Sequence, residues 1–173
     1  MTFPVGFAFY RPDPVLSAWA KEDKRLKKQG VAKKERPVQP ERDSAYPTKP
    51  QLALELLQAF KEAHGAIKIN AVLADALYGE AKFMDQVSQI CGGVQVVSQL
   101  RENQNIDYRG KKWNLKTYFD TVNKGVVMTV RRRGENDIQA TVSRARLKVT
   151  AHGKKRWVVA LKYEGESNYR YLV

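Results

Sequence analysis

Leu52, Leu56, Leu57 and Phe60 recur at helical spacing, whereas "AIKINAVLA" (66–74) and "VQVVSQL" (94–100) are short aliphatic runs of the kind that fill buried strands. Thr48, with Gln51 three positions on and Pro50 in the first turn, predicts the start of the helix that carries the leucines to about Gly65. After Asp75 a turn at Tyr78-Gly79 leads to a second helix, with Phe83, Val87 and Ile90 on one face and Gly92-Gly93 as its stop. Upstream, "FPVGFAFY" (3–10) predicts a strand bounded by proline, and a domain opening directly on a strand implies further sequence before it. The order strand, helix, strand, helix, strand is that of a parallel α/β sheet.

Beyond Arg101 the pattern shifts to strands joined by turns. "GVVMTVRRR", "QATVSRARLKVT" and "KRWVVALKYEG" are separated by "GEND", "HGK" and "GES", and "NYRYLV" supplies a fourth strand. The chain thus divides into an α/β part, residues 1–100, and an antiparallel β-rich part, residues 101–173. Residues 11–50 interrupt the first part. They are proline-punctuated, and "KEDKRLKKQGVAKKER" holds eight basic residues against three acidic, so they read as a loop with one short helix around Val15 to Lys28.

Composition narrows the partners. Thirty-one Lys and Arg against eighteen Asp and Glu in 173 residues give a formal charge of +13, which favours a polyanion such as nucleic acid. No apolar run approaches the roughly 20 residues of a membrane span. The start, "MTFPVGFAFYRPDP", lacks the basic n-region of a signal peptide, so a cytoplasmic protein is expected. The one cysteine, Cys91, excludes an internal disulfide, and with only His64 and His152 a Cys/His zinc site is not expected.

Within residues 143–149, Ser143, Ala145, Leu147 and Val149 fall on one strand face, and Arg144, Arg146 and Lys148 on the other. Arg131, Arg132, Arg133, Lys154, Lys155 and Arg156 lie in or beside neighbouring strands and would widen this stripe. It is either a solvated face or a surface for a phosphate backbone. Nothing reads bases: there is no recognition-helix signature, no zinc-finger spacing and no stacking platform.

Asp75 has two readings. An Asp after a strand bonds amides of the next turn, and a carboxylate at the C-terminal end of a central α/β strand also sits where such sheets hold ligands, a divalent metal included. Two-metal phosphoryl transfer needs two or three convergent carboxylates. Asp13, Glu80, Asp85, Asp120, Asp137, Glu164 and Glu166 are all assigned to loops, helices or turns instead. Cys91 reads as core, and two isolated histidines do not suggest a catalytic triad.

Five blocks in order, "FPVGFAFYRPDP", "YPTKPQLALELL", "VLADALYGEAKFMDQ", "GGVQVVSQLRENQN" and "KYEGESNYRYLV", resemble bacterial insertion-sequence transposases of the DDE class, over essentially the whole chain. The resemblance implies a partial ribonuclease-H-like core followed by a β-rich insertion subdomain. It implies that Asp75, followed by Tyr78 and Gly79, is the second acid of a triad binding Mg2+ or Mn2+. The family's first Asp would lie upstream of Met1, and its Glu on a helix beyond "YRYLV". A fragment truncated at both ends is therefore expected, inactive alone because one carboxylate cannot hold two metals. DNA is the expected partner, together with an intact transposase or a second copy, and neither a membrane nor a small-molecule cofactor. A DNA-binding module that interferes with or assists an intact transposase is the alternative. Acids supplied in trans by a second chain are a third reading.

Overall fold

A computed structural model describes residues 6–131 and 137–173. Among these residues it is a mixed α/β protein with four α-helices and an eight-stranded, mostly antiparallel sheet. The chain separates into two compact units, residues 1–65 and 66–173. The expected boundary at residue 100 falls inside the second unit, whose sheet is continuous across it. No helix among the described residues is long and apolar enough to cross a membrane.

The first unit is built on local capping. Helix α1 spans Pro14–Lys28, with Pro14 in its first turn, where a missing N–H costs nothing. Asp13 caps it: Oδ1 accepts the Val15 amide at 2.8 Å and the Leu16 amide at 3.1 Å, while Oδ2 accepts the Asp43 amide at 3.1 Å. The Leu16 amide leads the effects that hold this buried carboxyl below the usual carboxylate range, against the opposing pull of burial. Trp19 donates its indole N–H to the Pro37 carbonyl at 2.9 Å, and Arg36 pairs with Asp23 at 2.7 Å, fastening the loop to α1. Helix α2, Lys49–Ala63, opens on the capping box predicted for Thr48 and Gln51. Its Leu52, Leu56, Leu57 and Phe60 are only half-buried.

The second unit holds the core. Strand β1 (Ala71–Ala74) pairs in parallel with β2 (Gln95–Leu100), and α3 (Ala81–Ile90) connects them, burying Phe83, Met84 and Val87. The remaining pairs are antiparallel. β3 (Asn105–Tyr108) and β4 (Lys111–Asn114) form a hairpin whose turn residues, Arg109 and Gly110, both take positive φ, as a two-residue hairpin loop requires. α4 (Leu115–Thr121) follows, capped by Asn114; then come β5 (Val126–Val130), the long β6 (Ile138–Val149), β7 (Lys154–Tyr163) and β8 (Arg170–Leu172). The order across the sheet is β1-β2-β8-β7-β6-β3-β4, with β5 on β6 as well. One face is covered. Leu100, Ile106, Leu147, Val149, Val158 and Tyr171 pack beneath Leu115, Tyr118 and Phe119 of α4, with the Phe119 and Tyr171 rings 5.7 Å apart.

Two sequence expectations fail for the same reason. Residues 6–10 of "FPVGFAFY" form no strand, and Phe7 and Phe9 are exposed; residues 3–5 lie outside the described residues. The run 66–74 condenses to four residues and is not buried, with Leu73 79% exposed. β1 has a described partner, β2, on one side alone, and residues 6–10 have none. A strand without neighbours satisfies few backbone groups and hides few side chains, whatever its β-propensity.

Candidate functional site

Asp75 sits where the first parallel strand ends. Its extended backbone caps a 3-10 turn, Ala76–Tyr78, and Oδ1 accepts the Leu77 amide at 2.8 Å. Its carbonyl accepts both the Tyr78 amide, at 3.1 Å, and the hydroxyl of buried Ser98 in β2, at 2.7 Å. Gly79 then passes hard against β2: a Cβ there would lie 2.9 Å from the Gln99 carbonyl oxygen. His152, in the turn between β6 and β7, reaches the Gly79 carbonyl with Nε2 at 2.9 Å. Side-chain hydrogen bonds from Ser98 and His152 to its carbonyls therefore hold the Asp75 turn, while Asp75 itself is exposed.

Among the described residues no three His, Cys, Asp or Glu side chains converge where they could hold a metal ion. With one Asp75 oxygen engaged by Leu77, the residues present do not fit a two-metal centre. Asp85 of α3 is committed elsewhere. Burial would raise its carboxyl, but hydrogen bonds from Lys154 and from Arg156 (2.7 Å) bring it below the usual range.

The strand register sorts the predicted basic residues. Residues directly across a ladder point to the same face. Arg144, Arg146 and Lys148 of β6 stand opposite Val159, Trp157 and Lys155 of β7, so all six side chains point away from α4. Arg144, Arg146, Lys148 and Lys155 are exposed there, and Trp157 is 61% exposed. Asp107 of β3 also lies in the Lys148 row, 3.1 Å from the Lys148 ammonium, and beyond it Lys112 of β4 is exposed. That hydrogen bond is the main reason the Asp107 carboxyl lies below its ordinary range.

The other predicted basic residues fall elsewhere. Lys154 and Arg156 alternate with Lys155, so they point to the α3 side, where both bind Asp85. Arg131 lies at the far end of β5, exposed and 3.3 Å from Asp137. Arg132 and Arg133 lie outside the described residues. Sequence reasoning missed Lys112 and Trp157. Trp157 was legible in one respect, since it alternates with Lys155 and Val159 along β7.

Among the described residues, the sheet face turned away from α4 combines four exposed cations on two adjacent strands with an exposed indole. Chemically it can pair with phosphates and stack on a flat ring. Comparison of the chain with protein-family models, with curated proteins and with solved structures found no match.

Proposed function

We propose that the chain is a DNA-binding piece of an insertion-sequence transposase of the DDE class, with a partial ribonuclease-H-like core in β1, α3 and β2 and the β-rich unit as its insertion. The observation that carries the DNA reading is the open face of β6 and β7: Arg144, Arg146, Lys148 and Lys155 around Trp157, in a chain of net charge +13. The parallel β1–β2 pair with Asp75 at its end supports the core assignment. In this reading Asp75 is one of the several acids that two-metal strand cutting requires, so cutting needs further acids besides it. Its function in this reading is to occupy DNA, or to join an intact transposase or a second copy, which would provide the other acids.

The DNA reading is tested with Arg144→Glu combined with Arg146→Glu. Expected are at least a tenfold loss of affinity for duplex DNA in low salt and a log–log salt slope flattened by about 1 to 2, as each phosphate contact contributes about 0.9. Unchanged affinity and slope would return the face to a solvated surface. The inert reading has its own assay: with Mg2+ or Mn2+ and DNA, neither the protein nor Asp75→Ala should nick. Nicking by the protein that disappears in Asp75→Ala would sink it.

A further inference from the structure

The loop that returns along α1 encloses a basic cavity with an aromatic wall. Gly30, at a φ of 80°, reverses the chain after the helix, and the amides of Gln29, Gly30 and Val31 take up the last carbonyls of α1. A 3-10 turn, Lys33–Glu35, follows; Arg36 then pairs with Asp23, and the Pro37 carbonyl accepts the Trp19 indole N–H. Between helix and loop lies a cavity of about 590 Å³, within the range of small-molecule sites, whose walls include Trp19, Asp23, Lys27, Lys33, Lys34 and Arg36. All of its walls come from residues 19–39, so the cavity is complete within one continuous stretch of the chain.

We propose that this cavity is a binding site for a nucleoside triphosphate, with the phosphates held by Lys27, Lys33 and Lys34 and the base set against Trp19. Asp23 is neutralised by Arg36 at 2.7 Å, which leaves the three lysines as the uncompensated charge of the walls. All three are exposed, and among the described residues none has an acidic partner within ion-pairing distance. Ammonium groups are compact charges that suit phosphate oxygens. Trp19, Asp23 and Lys27 recur at four-residue spacing, which places them on one stripe of α1. Trp19 and Lys27 are thus about 12 Å apart along the axis, at roughly 1.5 Å per residue. Ring and charge are therefore separated, as base and terminal phosphates are in one nucleotide. The indole N–H is already engaged by Pro37, so Trp19 offers its flat ring and not a donor. A nucleic-acid strand carries the same groups, but it is held along a groove that tracks several nucleotides over successive aromatic rings. This cavity has one aromatic ring and one group of lysines. The site belongs to the first unit and does not depend on the β6–β7 face.

Equilibrium dialysis of the full chain against labelled ATP, in EDTA so that no metal takes part, tests the proposal. Saturable binding is expected, at least tenfold tighter than that of AMP, which lacks the charge, and of inorganic triphosphate, which lacks the ring. Lys33→Ala combined with Lys34→Ala, exposed changes whose fold is checked by circular dichroism, should weaken ATP at least tenfold. Arg144→Glu combined with Arg146→Glu should leave ATP binding within twofold while weakening DNA binding, so failure of the two proposals is distinguishable. With Trp113 and Trp157 replaced by Phe, ATP should quench the emission of Trp19 and inorganic triphosphate should not. No binding, equal binding of AMP or inorganic triphosphate, indifference to the lysine changes, or binding that leaves Trp19 emission unaltered would overturn the site. Displacement of ATP by a single-stranded oligonucleotide at a tenfold lower concentration would assign the cavity to a nucleic-acid strand and also overturn it.

Discussion

The two compact units are held by different physics. In residues 66–173 the side chains of ten residues form one buried cluster, from Leu100 to Tyr171. Among the described residues of the first unit neither helix contributes a single buried residue, and the most enclosed side chain is a carboxylate, Asp13, satisfied by three backbone amides. The second unit therefore rests on nonlocal burial, and the first on helix capping and polar contacts that tie its loop to α1. Similar helical signals in a sequence can hide this difference, because capping and periodicity specify a helix without specifying what covers it.

Core truncation should break the comparison most visibly. Phe119 is fully buried against Tyr118 and Tyr171, so Phe119→Ala should cost about 3–5 kcal/mol, a large share of the stability of a small domain. Leu56→Ala in half-buried α2 should cost about 1 kcal/mol. Trp19 lies in the first unit and Trp113 and Trp157 in the second, so Trp19→Phe leaves fluorescence that reports the second unit alone. Urea unfolding in that background should show a large shift for Phe119→Ala and little for Leu56→Ala. Equal shifts would mean the two units share one cooperative core.

Legibility followed the same division. Local rules found α1, α2 and α3, because caps, stops and 3.6-residue spacing are written within a few positions of each helix. Alternation found β5 to β8 and the outward set Arg144, Arg146 and Lys148. β3, β4 and α4 went unseen: strands of four residues carry too little alternation, though Arg109-Gly110 and the Asn114 cap were available signals. The sense of pairing was legible, parallel for β1 and β2 and antiparallel beyond Arg101, but its register was not. Only the register shows that Lys155 joins the open face while Lys154 and Arg156 turn to Asp85. The fate of Leu73 and Phe9 depended on the same missing information, since a run of β-formers does not encode its partner.

A middle-sized effect sharpens the picture of the first unit. In its capping box the Thr48 hydroxyl accepts the Gln51 amide while the Gln51 side chain accepts the Thr48 amide at 2.7 Å. Thr48→Ala removes the first of these and should cost about 1 kcal/mol. That is comparable to truncating a leucine of the same helix, and this equality is the prediction. A unit built on burial would lose far more from Leu56 than from Thr48. Trp19 fluorescence, with Trp113 and Trp157 replaced by Phe, reads both variants in one unfolding series.

The smallest expected effect is a pH dependence lodged in the second unit. His152 is buried, and Nε2 lies against the Gly79 carbonyl, which must accept; Nε2 therefore carries the proton, leaving Nδ1 bare and without a hydrogen-bond partner. Burial is the main cause that pushes the imidazole below its ordinary value; Arg156 and Lys154 push the same way, and the Gly79 carbonyl and Asp85 push back. Protonation at Nδ1 would enclose a charged N–H with no acceptor. The unfolded chain, with a pKa of about 6.5, takes up that proton first. Stability from the neutral ring is thus fully present above about pH 6.5 and is lost as pH falls through the lowered value. Thermal unfolding followed from pH 8 to pH 5 should show this decline in the second-unit signal, and His152→Gln should flatten it, because an amide donates to Gly79 without titrating. An equal decline in His152→Gln would trace the loss to other groups. Asp85 would then be a poor explanation, since its depressed carboxyl loses its contribution only in more acidic solution, below the ordinary carboxylate range of about 4.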